Sequence, residues 1–316
     1  MHPTYNLCYH VLEGEVAMRI ESFSMTGYRG VRETQTISLN PQMNILFGEN
    51  GAGKSTVLYG MMTALSWYAA RVRSTYGNGN KIGEHEVNNQ CNHTELSITC
   101  RTADGLPFSW TIAKSRKGFE TLERSDYAEL NTIAQSLQRK REAHGVETSL
   151  PIIGLYPTSR TGLDIPNRIR KRHTFDSISL YDSDQMWNAD FRLFYEWCST
   201  QQAIELENRG SKNAIASDRS LDAVRKAIHT FMEEFSDLRF QFNTPQGLYV
   251  DKKGFGPLRI EQLSGGEQSL LALVGDIARR LAIANPTLPN PLLGRGIILI
   301  DEVDVHLHPT WQYSVV

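Results

Sequence analysis

Eight residues, Gly48-Glu49-Asn50-Gly51-Ala52-Gly53-Lys54-Ser55, follow the pattern G-x-x-x-x-G-K-[ST]. These residue types suit the holding of phosphate. Phosphate oxygens must be met by several inward-pointing backbone N–H groups, and small residues permit so tight a turn. A helix starting here adds free N–H groups and the positive end of its dipole. The expected binding loop therefore includes Gly48, Asn50, Gly51 and Gly53. Lys54 is expected to reach the β- and γ-phosphates of a nucleotide, and Thr56 the α-phosphate. Ser55 is expected to hold Mg²⁺ through its hydroxyl. A second constellation is Ile297-Ile298-Leu299-Ile300-Asp301-Glu302, a run of apolar residues closing on two carboxylates. Carboxylates at the end of a buried strand call for a cation, because an unpaired charge is costly away from water. Asp301 is expected to hold Mg²⁺ through its water shell, and Glu302 to polarise an attacking water as general base. The third is Leu263-Ser264-Gly265-Gly266-Glu267-Gln268, a Ser-Gly-Gly turn opening a long apolar helix, which makes another anion-binding nest.

These groups need elements to position them. Residues 18–25 alternate apolar and polar types and predict a strand; 34–39 and 43–47 predict two more. The last of these leads into the glycine-rich loop, and 56–65 has helical spacing. Strand, loop, helix is the context a phosphate loop requires. Residues 94–101 and 107–114 predict a hairpin around Ala103–Pro107. Helices are expected over 121–143, 187–208 and 218–235, the last burying Leu221, Val224, Ile228, Phe231 and Phe235 on one face. Trp187, Phe191, Phe194 and Trp197 read as a helical core stripe. Short strands are predicted at 151–156, in LRFQF and in GLYV, and a buried strand at 296–300.

Taken together, the three constellations resemble the ABC-class ATPases, whose signature is similar to LSGGEQ. That resemblance implies that Ser264, Gly265 and Gly266 of one copy contact the γ-phosphate of ATP held by the phosphate loop of a second copy. Lys54 and Ser264 are 210 positions apart, an interval much longer than in transporter subunits. A long insertion of this kind resembles the RecF, SMC and OLD branch. Gly27-Tyr28-Arg29-Gly30 is similar to a segment of that branch, which implies that Arg29 lies near the nucleotide. The stretches 301–309, 155–160, 165–173 and 275–286 resemble OLD- and PtuA-like and other bacterial AAA-type ATP-binding proteins. The implied fold class is α/β: a P-loop NTPase, an ABC-type ATPase head with a mixed sheet and a mostly helical insertion.

The resemblance divides the chain into a head segment at 18–114, an insertion at 115–235 whose strand 151–156 belongs to the head, and a second head segment at 236–316. Residues 1–17 match no role in it and are expected to be an upstream extension. Two departures stand out. A transporter-type glutamine after the 151–156 strand is missing, and Ser159 or Arg160 is expected in its place. Only 14 residues follow Glu302. His306 and His308 are too close to it to act as the switch histidine of the superfamily, which implies a head cut short at its end.

Composition bounds the rest. The chain has 316 residues, 33 Lys+Arg, 35 Asp+Glu and a net charge of −2, with 40% hydrophobic residues. That excludes a disordered chain and leaves room for two cores. No apolar run approaches the ~20 residues of a spanning helix, and no secretory signal opens the chain. The four cysteines form no C-x-x-C pair and read as reduced thiols, so a cytoplasmic location without membrane attachment is expected. Cys91, His93, His85 and Cys100 follow no metal-ligand spacing. Arg168, Arg170, Lys171, Arg172 and His173 form the densest cation cluster, open to two readings: a DNA or RNA backbone contact, or a solvated loop. The expected activity is ATP hydrolysis driving head dimerisation, acting with nucleic acid in anti-phage defence or DNA repair beside a separate effector nuclease. The alternatives are a catalytically weak nucleotide-binding regulator and, third, a transporter ATPase subunit.

Overall fold

The computed structural model describes residues 18–119, 124–145, 148–158, 173–187, 190–210 and 219–302. Residues 1–17, 159–172 and 303–316 lie outside it, and with them Ser159, Arg160, four of the five residues in the cation cluster, His306 and His308.

An antiparallel sheet of order β2-β1-β3-β4 is built from β1 (Met18–Thr26), β2 (Gln35–Ser38), β3 (His93–Thr102) and β4 (Pro107–Ser115). Alternation puts Leu96, Ile98 and Cys100 of β3 on one face, opposite Ile112, Trp110 and Phe108 of β4. Such cross-strand pairs are the unit of sheet stability. In β1 the buried positions run Met18 and Ile20, then Phe23 and Met25. A bulge between Ile20 and Ser22 causes this change of phase. The helix α1 (Lys54–Arg73) covers the buried face, and α2 (Ala128–His144) packs beside it. Gly60 permits the close approach, since a Cβ there would stand 2.9 Å from the Phe23 ring. The Trp110 indole N–H is satisfied inside this core by the Ala64 carbonyl at 3.0 Å.

β5 (Ile152–Tyr156) and β9 (Gly296–Ile300) form a separate parallel pair, packed against α1. A second core lies around α4 (Phe191–Gly210), α5 (Arg219–Phe231) and α6 (Gly265–Ala284). It is closed by the antiparallel sheet β6 (Phe235–Gln241), β7 (Gly247–Lys252) and β8 (Gly256–Arg259). The four-residue helix α3 (Ser183–Met186) precedes α4. Helix α6 is buried nearly all round, as its sequence of Leu, Ala, Val and Ile predicts.

Most predicted elements form, with four corrections. Segment 43–47 is not a strand: Met43, Ile45 and Phe47 are 58%, 64% and 99% exposed. Apolar alternation needs a hydrogen-bonding neighbour to become a strand, and none of the described strands pairs with it. The helix expected at 218–235 stops at Phe231, which is 47% exposed, and Phe235 is buried in β6 instead. Strand β8 was not predicted, its four residues Gly-Pro-Leu-Arg being too short to alternate visibly. Among the described residues, parallel and antiparallel ladders occur in separate sheets rather than in one mixed sheet. No helix among the described residues is long and apolar enough to cross a membrane.

Candidate functional site

The loop 48–53 runs into α1 through Gly51 and Gly53, at φ 85° and 91°. Side chains rarely adopt this left-handed backbone, which is why glycine stands at both positions. Gly53 is the N-cap of α1 and supplies no side-chain cap, so the first N–H groups of the helix are left to an outside acceptor. Lys54 donates its ammonium to the Gly48 and Glu49 carbonyls at 2.7 and 2.9 Å. The lysine therefore lies folded over its own loop, and a phosphate entering the nest would exchange for those carbonyls. Ser55 is exposed, and Thr56 half-buried.

At the carboxyl ends of the parallel pair, Tyr156 stands beside Ile300, so the residues following both strands emerge at one edge. Ligands of parallel sheets bind at such edges. The backbone N–H of Asp301 donates to the Tyr156 carbonyl at 2.9 Å, extending the ladder one residue beyond the strand. Asp301 is buried and Glu302 exposed. Glu302 has φ 49°, a left-handed conformation uncommon for a residue with a side chain. The oxygens of Ser55 and Asp301 are the hard donors Mg²⁺ takes, and the loop is a cradle for phosphate, so the residues present suit an Mg²⁺ nucleotide.

Ser264 caps α6. Its hydroxyl accepts from the Glu267 N–H at 3.4 Å while the Glu267 carboxylate accepts from the Ser264 N–H at 2.8 Å. This reciprocal box fixes the turn. Lys252 of β7 adds an ion pair to Glu267 at 2.5 Å. Burial alone would raise the Glu267 carboxyl, but Lys252 and Ser264 hold it below its ordinary value. Ser264 and Gly265 remain exposed, with the start of α6 facing outward.

Arg29 has φ 48° and donates to Glu86 Oε1 through Nε at 3.2 Å and Nη2 at 2.8 Å. Its guanidinium lies 5.1 Å from the Tyr59 ring centroid. Tyr59 stands one helical turn beyond Ser55, so Arg29 covers the first turns of α1. Burial works to raise the Glu86 carboxyl, yet the Gly83 N–H, Arg29 and the Tyr28 hydroxyl bring it below the usual range. His173, the described residue of the cation cluster, is taken up by Glu196, whose carboxylate accepts from its backbone N–H at 2.6 Å and lies 2.7 Å from its ring.

Sequence reasoning missed a wholly buried network. Asp276, Arg279 and Arg280 of α6 meet Tyr156 of β5 between the two cores. Three charges at i, i+3 and i+4 in an otherwise apolar helix were the available signal. It also missed Glu86 and Lys252, which lie far in sequence from the groups they hold.

Residues 22–238 match the protein family described as AAA domain. The chain is 28% identical to the Retron Ec83 probable ATPase of Escherichia coli, over 95% of this chain and 65% of that protein. It is 27% identical to the Retron Vc95 probable ATPase of Vibrio cholerae, over 95% of this chain and 67% of that protein. The chain thus spans about two thirds of the length of these curated relatives. A shorter stretch of 58 residues, 18% of the chain, is 40% identical to the Septu protein PtuA of Bacillus mycoides, covering 8% of it. With its phosphate loop opening α1 and a matched region covering more than half its length, the chain belongs to the AAA-domain family.

Proposed function

We propose that this chain binds ATP with Mg²⁺ and hydrolyses it as a molecular switch. The observation that carries the reading is the loop itself: two left-handed glycines, an uncapped helix start, and Lys54 held over the nest by carbonyls that a phosphate can replace. In this reading Gly48, Asn50, Gly51 and Gly53 line the nest, and Lys54 and Thr56 engage the phosphates. Ser55 and Asp301 hold Mg²⁺. Glu302, exposed directly after the strand end, orients and deprotonates the attacking water. Arg29 closes the site from the side of Tyr59.

The Ser264-Gly265-Gly266 turn, exposed at Ser264 and Gly265, supports a second copy as the partner, each turn completing the other's site across an ATP-dependent dimer. The retron and Septu names of the relatives favour a defence role over DNA repair, with nucleic acid or a separate effector nuclease as the target.

The test is phosphate release by the purified chain beside Lys54→Ala and Glu302→Gln. Loss of a general base lowers turnover by about 10²–10⁴-fold. Glu302→Gln is expected to keep ATP binding and lose turnover, and Lys54→Ala to lose both. Equal, near-zero rates in all three proteins, with ATP still bound by the first, would favour a regulatory nucleotide-binding protein instead.

A further inference from the structure

Tyr156 is joined to two parts of the site at once. Its carbonyl accepts from the N–H of Asp301 at 2.9 Å, which fixes the turn from β9 into the acidic pair. Its phenol donates to Asp276 Oδ2 at 2.9 Å, in the middle of α6. Both residues are buried, as are the Arg279 and Arg280 side chains beside them. Asp276 also accepts from Arg279 Nε and Nη2 at 3.0 and 2.7 Å, and from Arg280 Nε at 2.7 Å. Arg280 extends to the Ile153 carbonyl of β5 and to the Gln185 carbonyl of α3, and its guanidinium lies 5.7 Å from the Tyr156 ring centroid.

The construction is costly if it serves packing alone. Two guanidiniums and one carboxylate are taken out of water together, and replacing such groups by apolar ones is often neutral or stabilising. Arg279 Nη1 is buried without a hydrogen bond among the described residues. What the network does supply is rigidity between two elements that apolar contacts would let slide. Asp276 lies in the helix that Ser264 caps, about 18 Å from that cap at 1.5 Å per residue. These contacts form a continuous path from the end of β9 through Tyr156 and Asp276 into the helix that opens at the Ser-Gly-Gly turn.

The geometry points to Tyr156 as a positioning residue that couples the acidic end of β9 to α6, so that occupation of the nucleotide site moves or stiffens the Ser264–Gly266 turn. This rests on the nucleotide-binding reading above. Tyr156 touches no reacting atom; it acts through Asp301 and Asp276. The linkage is physical contiguity, and demonstrating coupling requires both ends to be measured.

Tyr156→Phe is the discriminating variant. It keeps the ring and the backbone carbonyl and removes one hydroxyl. Asp276 keeps three guanidinium hydrogen bonds, so the fold is expected to persist, checked by an unfolding temperature within a few degrees of wild type. The whole chain is compared with and without a non-hydrolysable ATP analogue and Mg²⁺ by amide hydrogen exchange. In wild type the analogue is expected to slow exchange in residues 48–56 and in 264–284 together. In Tyr156→Phe the loop stays protected and the response of 264–284 is lost. Turnover is expected to fall about tenfold with KM unchanged, the signature of a group felt only in the transition state.

Protection of both segments in Tyr156→Phe, or unchanged turnover, overturns the coupling while leaving nucleotide binding intact. Absence of loop protection in wild type overturns the nucleotide-binding reading, and the coupling with it.

Discussion

At the scale of single residues, three chemical groups around the candidate site are held by neighbours outside their own segment. Lys252 holds Glu267, Glu86 holds Arg29, and Asp276 holds Tyr156. Glu267 shows what this does to stability. Its folded-state carboxyl titrates below the ordinary value, so its contribution is complete above the unfolded value of about pH 4.3 and is lost as pH falls through the folded one. The unfolding temperature of wild type is therefore expected to drop more steeply between pH 5.5 and 3.5 than that of Glu267→Gln. Parallel thermal melts check this, and equal slopes would show that the Lys252 pair does not stabilise the cap. The motif residues themselves were legible because phosphate chemistry restricts their types within a few positions. Their partners were not, because a buried ion pair is set by tertiary approach and leaves no local pattern.

At the scale of elements, helices and strands were read where periodicity faced one core. Strands β1, β3 and β4 alternate against α1, and the sequence announces it. The reading failed where a second condition applied. Residues 43–47 carry strand-like alternation and no ladder, since hydrogen-bond partners are not a property of the segment. Phe231 has the right helical spacing but sits on the last turn, where the core ends. Close approach sets a different constraint on α6. A Cβ at Gly275 would stand 2.8 Å from the Phe194 ring of α4. Gly275→Leu must push the two helices apart and is expected to destabilise the chain by about 1–3 kcal/mol, the usual range for overpacking. Denaturant unfolding of the variant measures it, and an unchanged midpoint would mean that the helices separate freely.

At the scale of the molecule, two cores meet across α6 and the β5–β9 pair, which places the phosphate loop on one core and the Ser-Gly-Gly turn on the other. The proposed second-copy partner is tested here. In Glu302→Gln, which is expected to retain ATP, light scattering should show a doubling of mass on adding ATP and Mg²⁺. Adding Ser264→Arg, which places a bulky side chain on the exposed turn, should return the protein to the monomeric mass. A dimer that survives that substitution must use another surface.

The β5–β9 ladder also imposes a schedule on synthesis. Its first paired residues, Ile152 and Gly296, are 144 residues apart. At about 5–20 residues per second, a ribosome needs roughly 7–30 s to deliver β9 after β5 has emerged. Throughout that interval Ile152, Ile153 and Leu155 are without the strand that later shields them, and for most of it α6 has yet to be made. This stretch of nascent chain is where chaperones should be found on translating ribosomes. Slowing translation between 157 and 295 should cost soluble yield even though every residue of the finished protein is unchanged.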